Sequence, residues 1–265
     1  MPVIRHRIFT ITGGRTGTAW VVELVRANTD CPAVHESTKV DDIGVKSPDI
    51  RTMRHFNTYG MTPLIRSFWR NKFSILPDTP TYLESNHALA KAGLVEALAE
   101  QSKDRISILL LRRNWHDQVA SYVDRGDFER IANVWLWYLD PRIPRRIIDP
   151  ADLLELGTMG TAIWYAAEME ARQEYYRQLY ADRFEFIDCT LEAMTTEAGA
   201  GMLLKRLGFT VSPVLPPRRN AKREKPKTRL RRKLFEALDT FRFDPVAEAQ
   251  RFIEAGKSLH RPAED

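Results

Sequence analysis

The chain has 265 residues, 43% of them hydrophobic and 28% charged, with a formal net charge of +5. That length supports one large α/β domain with its own core, and the composition is that of an ordinary soluble globular protein. Two cysteines, Cys31 and Cys189, exclude a disulfide framework, no Cys/His spacing suggests a metal site, and no apolar run approaches the ~20 residues that span a bilayer.

In chain order, residues 5–12 read as a strand and 17–28 as a helix, followed by a loop to 42 and a short strand at 44–46. Residues 48–73 suit two short helices. A strand at 81–85, a helix at 89–101, a strand at 106–111 and a helix at 115–124 come next. Residues 127–139 look helical, 140–150 form a proline-broken loop and 158–181 a long helix. A strand at 184–188 and a helix at 196–207, stopped by Gly208, complete the series. Strands alternating with helices predict a three-layer α/β fold around a mostly parallel sheet. One domain over 1–225 suffices, with 226–265 as its basic helical extension.

The first segment with chemical content is IFTITGGRTGTAW, residues 8–20. An apolar strand breaks into a glycine turn and opens directly into a helix, which makes an anion site from unpaired N–H groups and the helix dipole. Gly13, Gly14 and Gly17 allow a tight turn and close approach to a phosphate, and Arg15 adds a forked cation. The NTPase loop pattern is not met, because Gly17 is followed by Thr18 and Ala19 rather than by lysine.

The second is ISILLLRRNWHDQVASY, residues 106–122. Its unbroken apolar run reads as a strand buried on both faces of a parallel sheet. It ends in Arg112-Arg113-Asn114, and a helix follows.

Both segments resemble sulfotransferases that use 3′-phosphoadenosine 5′-phosphosulfate (PAPS). Arg15-Thr16-Gly17-Thr18-Ala19-Trp20 is similar to their 5′-phosphosulfate loop, (Lys/Arg)-Ser-Gly-Thr-Thr-(Trp/Leu), with Ala19 in place of a threonine. Arg113 and Ser121, eight residues apart and followed by Tyr122, match the 3′-phosphate segment, with Trp115 where the family has proline. The resemblance covers most of residues 5–225 and implies a P-loop-like sulfotransferase fold. It implies an enzyme that moves a sulfuryl group from PAPS to a hydroxyl of a carbohydrate, glycolipid or other small metabolite, releasing 3′,5′-bisphosphoadenosine (PAP) without a metal. Animal Golgi members carry a membrane anchor, so a chain without one is expected to be a cytoplasmic, bacterial enzyme. A homo-oligomer is allowed, and nucleic acid has no role in this reading.

The same resemblance distributes roles. Arg15 would stabilise charge on the leaving 5′-phosphate, the amides of Thr16–Ala19 and the Thr18 hydroxyl would cradle it, and Trp20 would stack on adenine. Carbohydrate-type and tyrosylprotein members place a glutamate about nineteen residues past the loop glycine, which is Glu36 here, the expected general base. His35 beside it would then point elsewhere. In TYLESNHAL, residues 81–89, Ser85 and Asn86 stand where glycan sulfotransferases carry a lysine and its neighbour, so that lysine has no counterpart. His87 is the second candidate base.

Ten of the 40 basic residues, against one of the 35 acids, fall between Arg218 and Lys233. By itself this run fits a nucleic-acid arm, a solvated helix face or a lid over an anionic cofactor. The family's loop after the last core helix makes Arg219, Asn220 and Lys222 the expected 3′-phosphate contacts, with the later charges on a solvated helix. A phosphotransferase shares the strand–loop–helix trap but needs a Mg²⁺ ligand and a phosphate-cradling lysine, neither of which these motifs supply.

Overall fold

The structure is a computed structural model and describes residues 4–37, 39–129, 137–217 and 229–261. In chain order its main elements are β1 (His6–Ile11), α1 (Thr18–Asn28), β2 (Ala33–His35), α2 (Ile50–Tyr59), α3 (Pro63–Ser74), β3 (Thr81–Ser85), α4 (Leu94–Gln101), β4 (Arg105–Arg112) and α5 (Trp115–Arg125). After these come α6 (Ala151–Leu154), α7 (Gly157–Tyr180), β5 (Glu185–Thr190), α8 (Leu191–Met194), α9 (Glu197–Arg206), α10 (Arg229–Thr240) and α11 (Pro245–Glu254).

The five strands form one parallel sheet in the order β2-β3-β1-β4-β5. Alternation along the central strands sends side chains to two separate cores. Ile106, Ile108 and Leu110 of β4 join the larger core with α4, α5 and α7, while Leu109 and Leu111 join the smaller one with α1 and α9. The fold is therefore three-layered α/β, as the alternating pattern predicts.

From β1 the chain leaves toward β2 on one side, and from β4 it leaves toward β5 on the other. The chain therefore leaves the sheet in opposite directions from these two neighbouring strands, a topological switch point at the carboxyl edge. Both loops of the two motifs lie there.

Two sequence expectations are corrected. Residues 44–46 are not a strand: the Asp42 carbonyl accepts from the amides of Val45, Lys46 and Ser47 at 3.2, 2.8 and 2.9 Å, curling the chain, and Gly44 takes φ +80°. The edge strand is Ala33–His35 instead. The helix expected at 89–101 is cut by Gly93 at φ +83° into a short 3₁₀ turn, Ala90–Ala92, and α4. Of the helix expected at 127–139, residues 130–136 lie outside the described residues. Among the described residues, no helix is long and apolar enough to cross a membrane. Both thiols are unreactive by burial, which pushes Cys31 up to about 11 and Cys189 up to about 12.

A buried ion pair holds the loop after residue 139 against α7. Arg172 donates from Nε to Glu168 Oε1 (2.7 Å), from Nη1 to Asn57 Oδ1 (2.8 Å) and from Nη2 to the Arg145 carbonyl (2.7 Å). The other Glu168 oxygen accepts from the amides of Ile147 and Ile148, each at 2.9 Å. Both side chains are fully buried, and this hydrogen bonding offsets the cost of desolvating them.

Candidate active site

The loop after β1 is built for close approach. Gly14 and Gly17 have φ of +86° and +94°, and a Cβ on Gly17 would lie 2.7 Å from Leu191 Cδ1. Arg15, at φ +60°, is the one non-glycine residue with positive φ among the described residues. That conformation costs on the order of 1 kcal/mol for an L-residue. Tertiary contacts hold it: the Tyr122 hydroxyl lies 3.0 and 2.9 Å from the carbonyls of Gly13 and Gly14, and the Tyr165 hydroxyl donates to Gly13 at 3.0 Å. Gln118 Nε2 donates to Gly14 at 3.3 Å. These contacts engage the loop carbonyls from α5 and α7, and the Gly14 amide donates to Thr12 Oγ1 at 2.9 Å.

Helix α1 has no side-chain cap at Gly17, so its first-turn amides at Thr18, Ala19 and Trp20 face the loop without one. Thr16 is buried, and its hydroxyl bonds to Thr12 rather than facing outward. The Thr18 hydroxyl bonds to His35 Nε2 at 3.1 Å. His35 therefore faces the loop together with Glu36, its Nε2 lying 3.7 Å from Glu36 Oε1, which corrects the expectation that it points away. Trp20 is half-buried; its indole donates to the Met194 carbonyl at 3.2 Å and packs on the smaller core. That contact gives it a packing role.

The second loop meets the first. Arg15 Nε donates to Ser121 Oγ at 2.9 Å, and Arg113 Nη1 lies 3.4 Å from the Arg15 carbonyl. Arg113 also pairs with Asp117 at 3.3 Å, while its Nε is buried with no hydrogen-bond partner among the described residues. Arg112 differs from its neighbour, being taken up by Gln173, Glu174 and Asp188. Trp115 is no obstacle to the turn: it occupies the first position of α5, where proline would also be tolerated, and Asn114 caps that helix by accepting from Asp117 N. Its ring stacks at 5.6 Å on Phe243 and 6.4 Å on Phe241, docking the chain after α10. His116 is structural too, 2.8 Å from Asp239 of α10.

Glu36 follows the edge strand β2 and opens on a cavity of about 300 Å³ lined also by Arg15, Thr18, His87, Arg125 and Trp137. His87 Nε2 lies 3.3 Å from Glu36 Oε2. On the other side of the imidazole, Lys91 Nζ donates to His87 Nδ1 at 2.9 Å, so the network assigns the ring proton to Nε2, the nitrogen on the Glu36 side. Lys91 also donates to the Tyr165 hydroxyl at 3.0 Å and to the Trp137 carbonyl. Burial, reinforced by Lys91, pushes His87 well below the ordinary histidine range. Burial lowers Lys91 to about 7, opposed by the attraction of Glu36. The two candidate bases thus lie side by side, and His87 is hydrogen-bonded through Lys91 and Tyr165 to the Gly13 carbonyl.

Sequence reading missed Lys91. Its signals are a solitary lysine in the apolar stretch ALAKAGLVEALA and a four-residue offset from His87. Arg219, Asn220 and Lys222 lie outside the described residues. No protein-family model matches the chain, and no curated protein matches it.

Proposed function

We propose that this chain transfers a sulfuryl group from PAPS to a hydroxyl acceptor. The observation that carries the reading is the contact between Arg15 and Ser121, with Arg113 on the carbonyl of Arg15. It joins the ends of two neighbouring parallel strands, and PAPS would set its 5′-phosphosulfate on the glycine loop and its 3′-phosphate at Arg113 and Ser121. The unpartnered Arg113 Nε and the uncapped start of α1 are donors suited to such a ligand.

In this reading Glu36 takes the acceptor's hydroxyl proton as the acceptor oxygen bonds to sulfur. The bond from sulfur to the 5′-phosphate oxygen breaks, and PAP leaves with that electron pair. Arg15 and the amides of Thr16–Ala19 stabilise the charge gathering on the phosphate. His87 keeps its Nε2 beside Glu36, and Lys91 fixes the His87 tautomer from behind. Lys91 also supplies a cation at the site where the family's lysine has no counterpart in the sequence. The cytoplasmic location and the bacterial affiliation belong to the same proposal.

Thermal unfolding with PAP, ATP and GTP at equal concentration tests it. A ligand that binds only the native state raises its apparent stability by mass action. PAP is expected to raise Tm and the triphosphates to do so much less; equal shifts would overturn the assignment.

A further inference from the structure

We propose that the acceptor is an acidic oligosaccharide. Its reacting hydroxyl sits at Glu36, and its anionic remainder lies along a basic groove leading away from the catalytic cavity. The placement of the reacting end rests on the sulfuryl-transfer reading; the groove does not.

Three cavities adjoin. The cavity at Glu36 shares Tyr138 with a second of about 410 Å³, and the second shares Thr58 and Pro144 with a third of about 630 Å³. One wall is the face of α2 that carries Met53, Arg54, Asn57 and Thr58, residues at helical spacing. The other is the loop from Tyr138 to Ile147, and the far end is closed by Lys257, Ser258 and Arg261. A single cavity of about 300–1,000 Å³ already accommodates a small ligand. Three neighbouring cavities that share lining residues suit an extended one.

The charge is one-sided. Beyond Tyr138 the two outer cavities are lined by Arg54, Arg142, Arg145, Arg146, Lys257 and Arg261, against Asp140 and Asp149. Arg142 is paired with Asp140, so these two charges offset each other and Arg54, Arg145, Arg146, Lys257 and Arg261 remain against Asp149. A cleft of one sign concentrates counter-charged ligands, and guanidinium forks match carboxylate and sulfate oxygens.

The groove is rigid. Arg145 spans it, donating to the carbonyls of Thr58 (3.3 Å) and Ser258 (2.8 Å), and its own carbonyl is held by buried Arg172. The walls are therefore set before a ligand arrives, which lowers the ordering cost of binding. A saccharide bearing an acid on each ring matches both ends of this arrangement. It carries anions at regular intervals for the outer cavities and hydroxyls for Glu36. Trp137 lines the innermost cavity and offers aromatic surface to the apolar face of a sugar ring, while Tyr138 beside it is packed on Tyr122, Phe128 and Tyr165.

The test is fluorescence anisotropy with a labelled short oligogalacturonate, one carboxylate per sugar, beside a neutral maltooligosaccharide of equal length. The full chain should bind the acidic probe at low salt and lose it as salt rises, while the neutral probe binds far more weakly. The triple variant Arg146→Ser/Lys257→Ser/Arg261→Ser should weaken binding on the order of tenfold or more. The surface variant Arg70→Ser/Lys103→Ser/Lys205→Ser, with the same charge change, should stay within about twofold. Should the groove triple lower Tm severely, the single change Lys257→Glu at an exposed position must still weaken the acidic probe. Equal loss in both triples, no binding of the acidic probe, or equal groove-dependent binding of polyglutamate or single-stranded DNA would each overturn the proposal. PAP stabilisation measured in parallel separates the two claims. PAP binding without oligosaccharide binding defeats the groove alone, and the reverse defeats the sulfuryl-transfer reading alone.

Discussion

Arg15 Nε donates to Ser121 Oγ at 2.9 Å across 106 residues of sequence, joining the glycine loop after β1 to the helix after β4. Each partner is already held in place: Arg15 by a positive φ that its neighbours enforce, Ser121 by burial in α5. An anion arriving between them meets two positioned groups and Arg113 beside them.

Arg113→Ala should therefore weaken PAP by about 1.5–3 kcal/mol, the range for a hydrogen bond to a charged group. Arg112→Ala should cost stability instead, since Arg112 already bonds Glu174 and Asp188. Titrating PAP by calorimetry on both variants, with Tm measured alongside, checks the contrast. Unchanged PAP affinity in Arg113→Ala would move the 3′-phosphate site elsewhere.

Glu36→Gln should fold, keep PAP affinity and lose sulfuryl transfer by ~10²–10⁴-fold, the scale of general-base loss. Lys91→Met should lower turnover as well and change its pH dependence near pH 7, because Lys91 titrates there. Single-turnover assays against pH with a surrogate acceptor decide this. Near-normal turnover in Glu36→Gln with collapse in His87→Ala would make His87 the base.

Breaking one side of the buried pair, as in Glu168→Gln or Arg172→Met, should destabilise the chain by about 3–5 kcal/mol, because an unpaired charge or orphaned amides remain buried. The double variant Glu168→Gln/Arg172→Met should cost less than the two single changes together. Urea unfolding of the four proteins completes the double-mutant cycle. Simple additivity would count against direct coupling.

Glu96 in α4 is 2% exposed, and neither of its oxygens has a hydrogen-bond partner among the described residues; the neighbouring Tyr176 hydroxyl falls outside bonding geometry. Burial pushes this carboxyl up to about 7, against weaker lowering by its own amide and by Arg172. Its folded pKa exceeds the unfolded value of 4.5, so the folded state holds the extra proton between pH 4.5 and 7. Stability from this group is complete below pH 4.5 and is lost as pH rises through 7. Glu96→Gln should accordingly gain on the order of 2 kcal/mol relative to the parent between pH 4.5 and 8. A relative stability independent of pH would refute the assignment.

The three-layer architecture was legible in residues 106–111, because a strand apolar at every position needs cover on both faces and a parallel sheet provides it. The glycine turn was legible for a similar reason, since a strand end followed at once by a helix start is written in consecutive residues, whereas Arg113 and Ser121 were picked out only by the family resemblance. Glu36 could be placed by its offset from Gly17, but its partners could not. Lys91 reads as a lysine in an apolar run, and only the packing of α7 brings Tyr165 to it and sets His87 between it and Glu36. His35 was misjudged because β2 carries it to the rim of the loop, where Thr18 takes its hydrogen bond. The groove is further from sequence still, since α2, the loop after Tyr138 and the segment at 256–261 are brought together by long-range contacts such as those of Arg145 and the buried Arg172. Turns and strand ends are decided within a few residues by backbone sterics and hydrogen bonding. Charge networks and clefts are decided by which distant surfaces the core draws together, and that depends on packing of the whole chain.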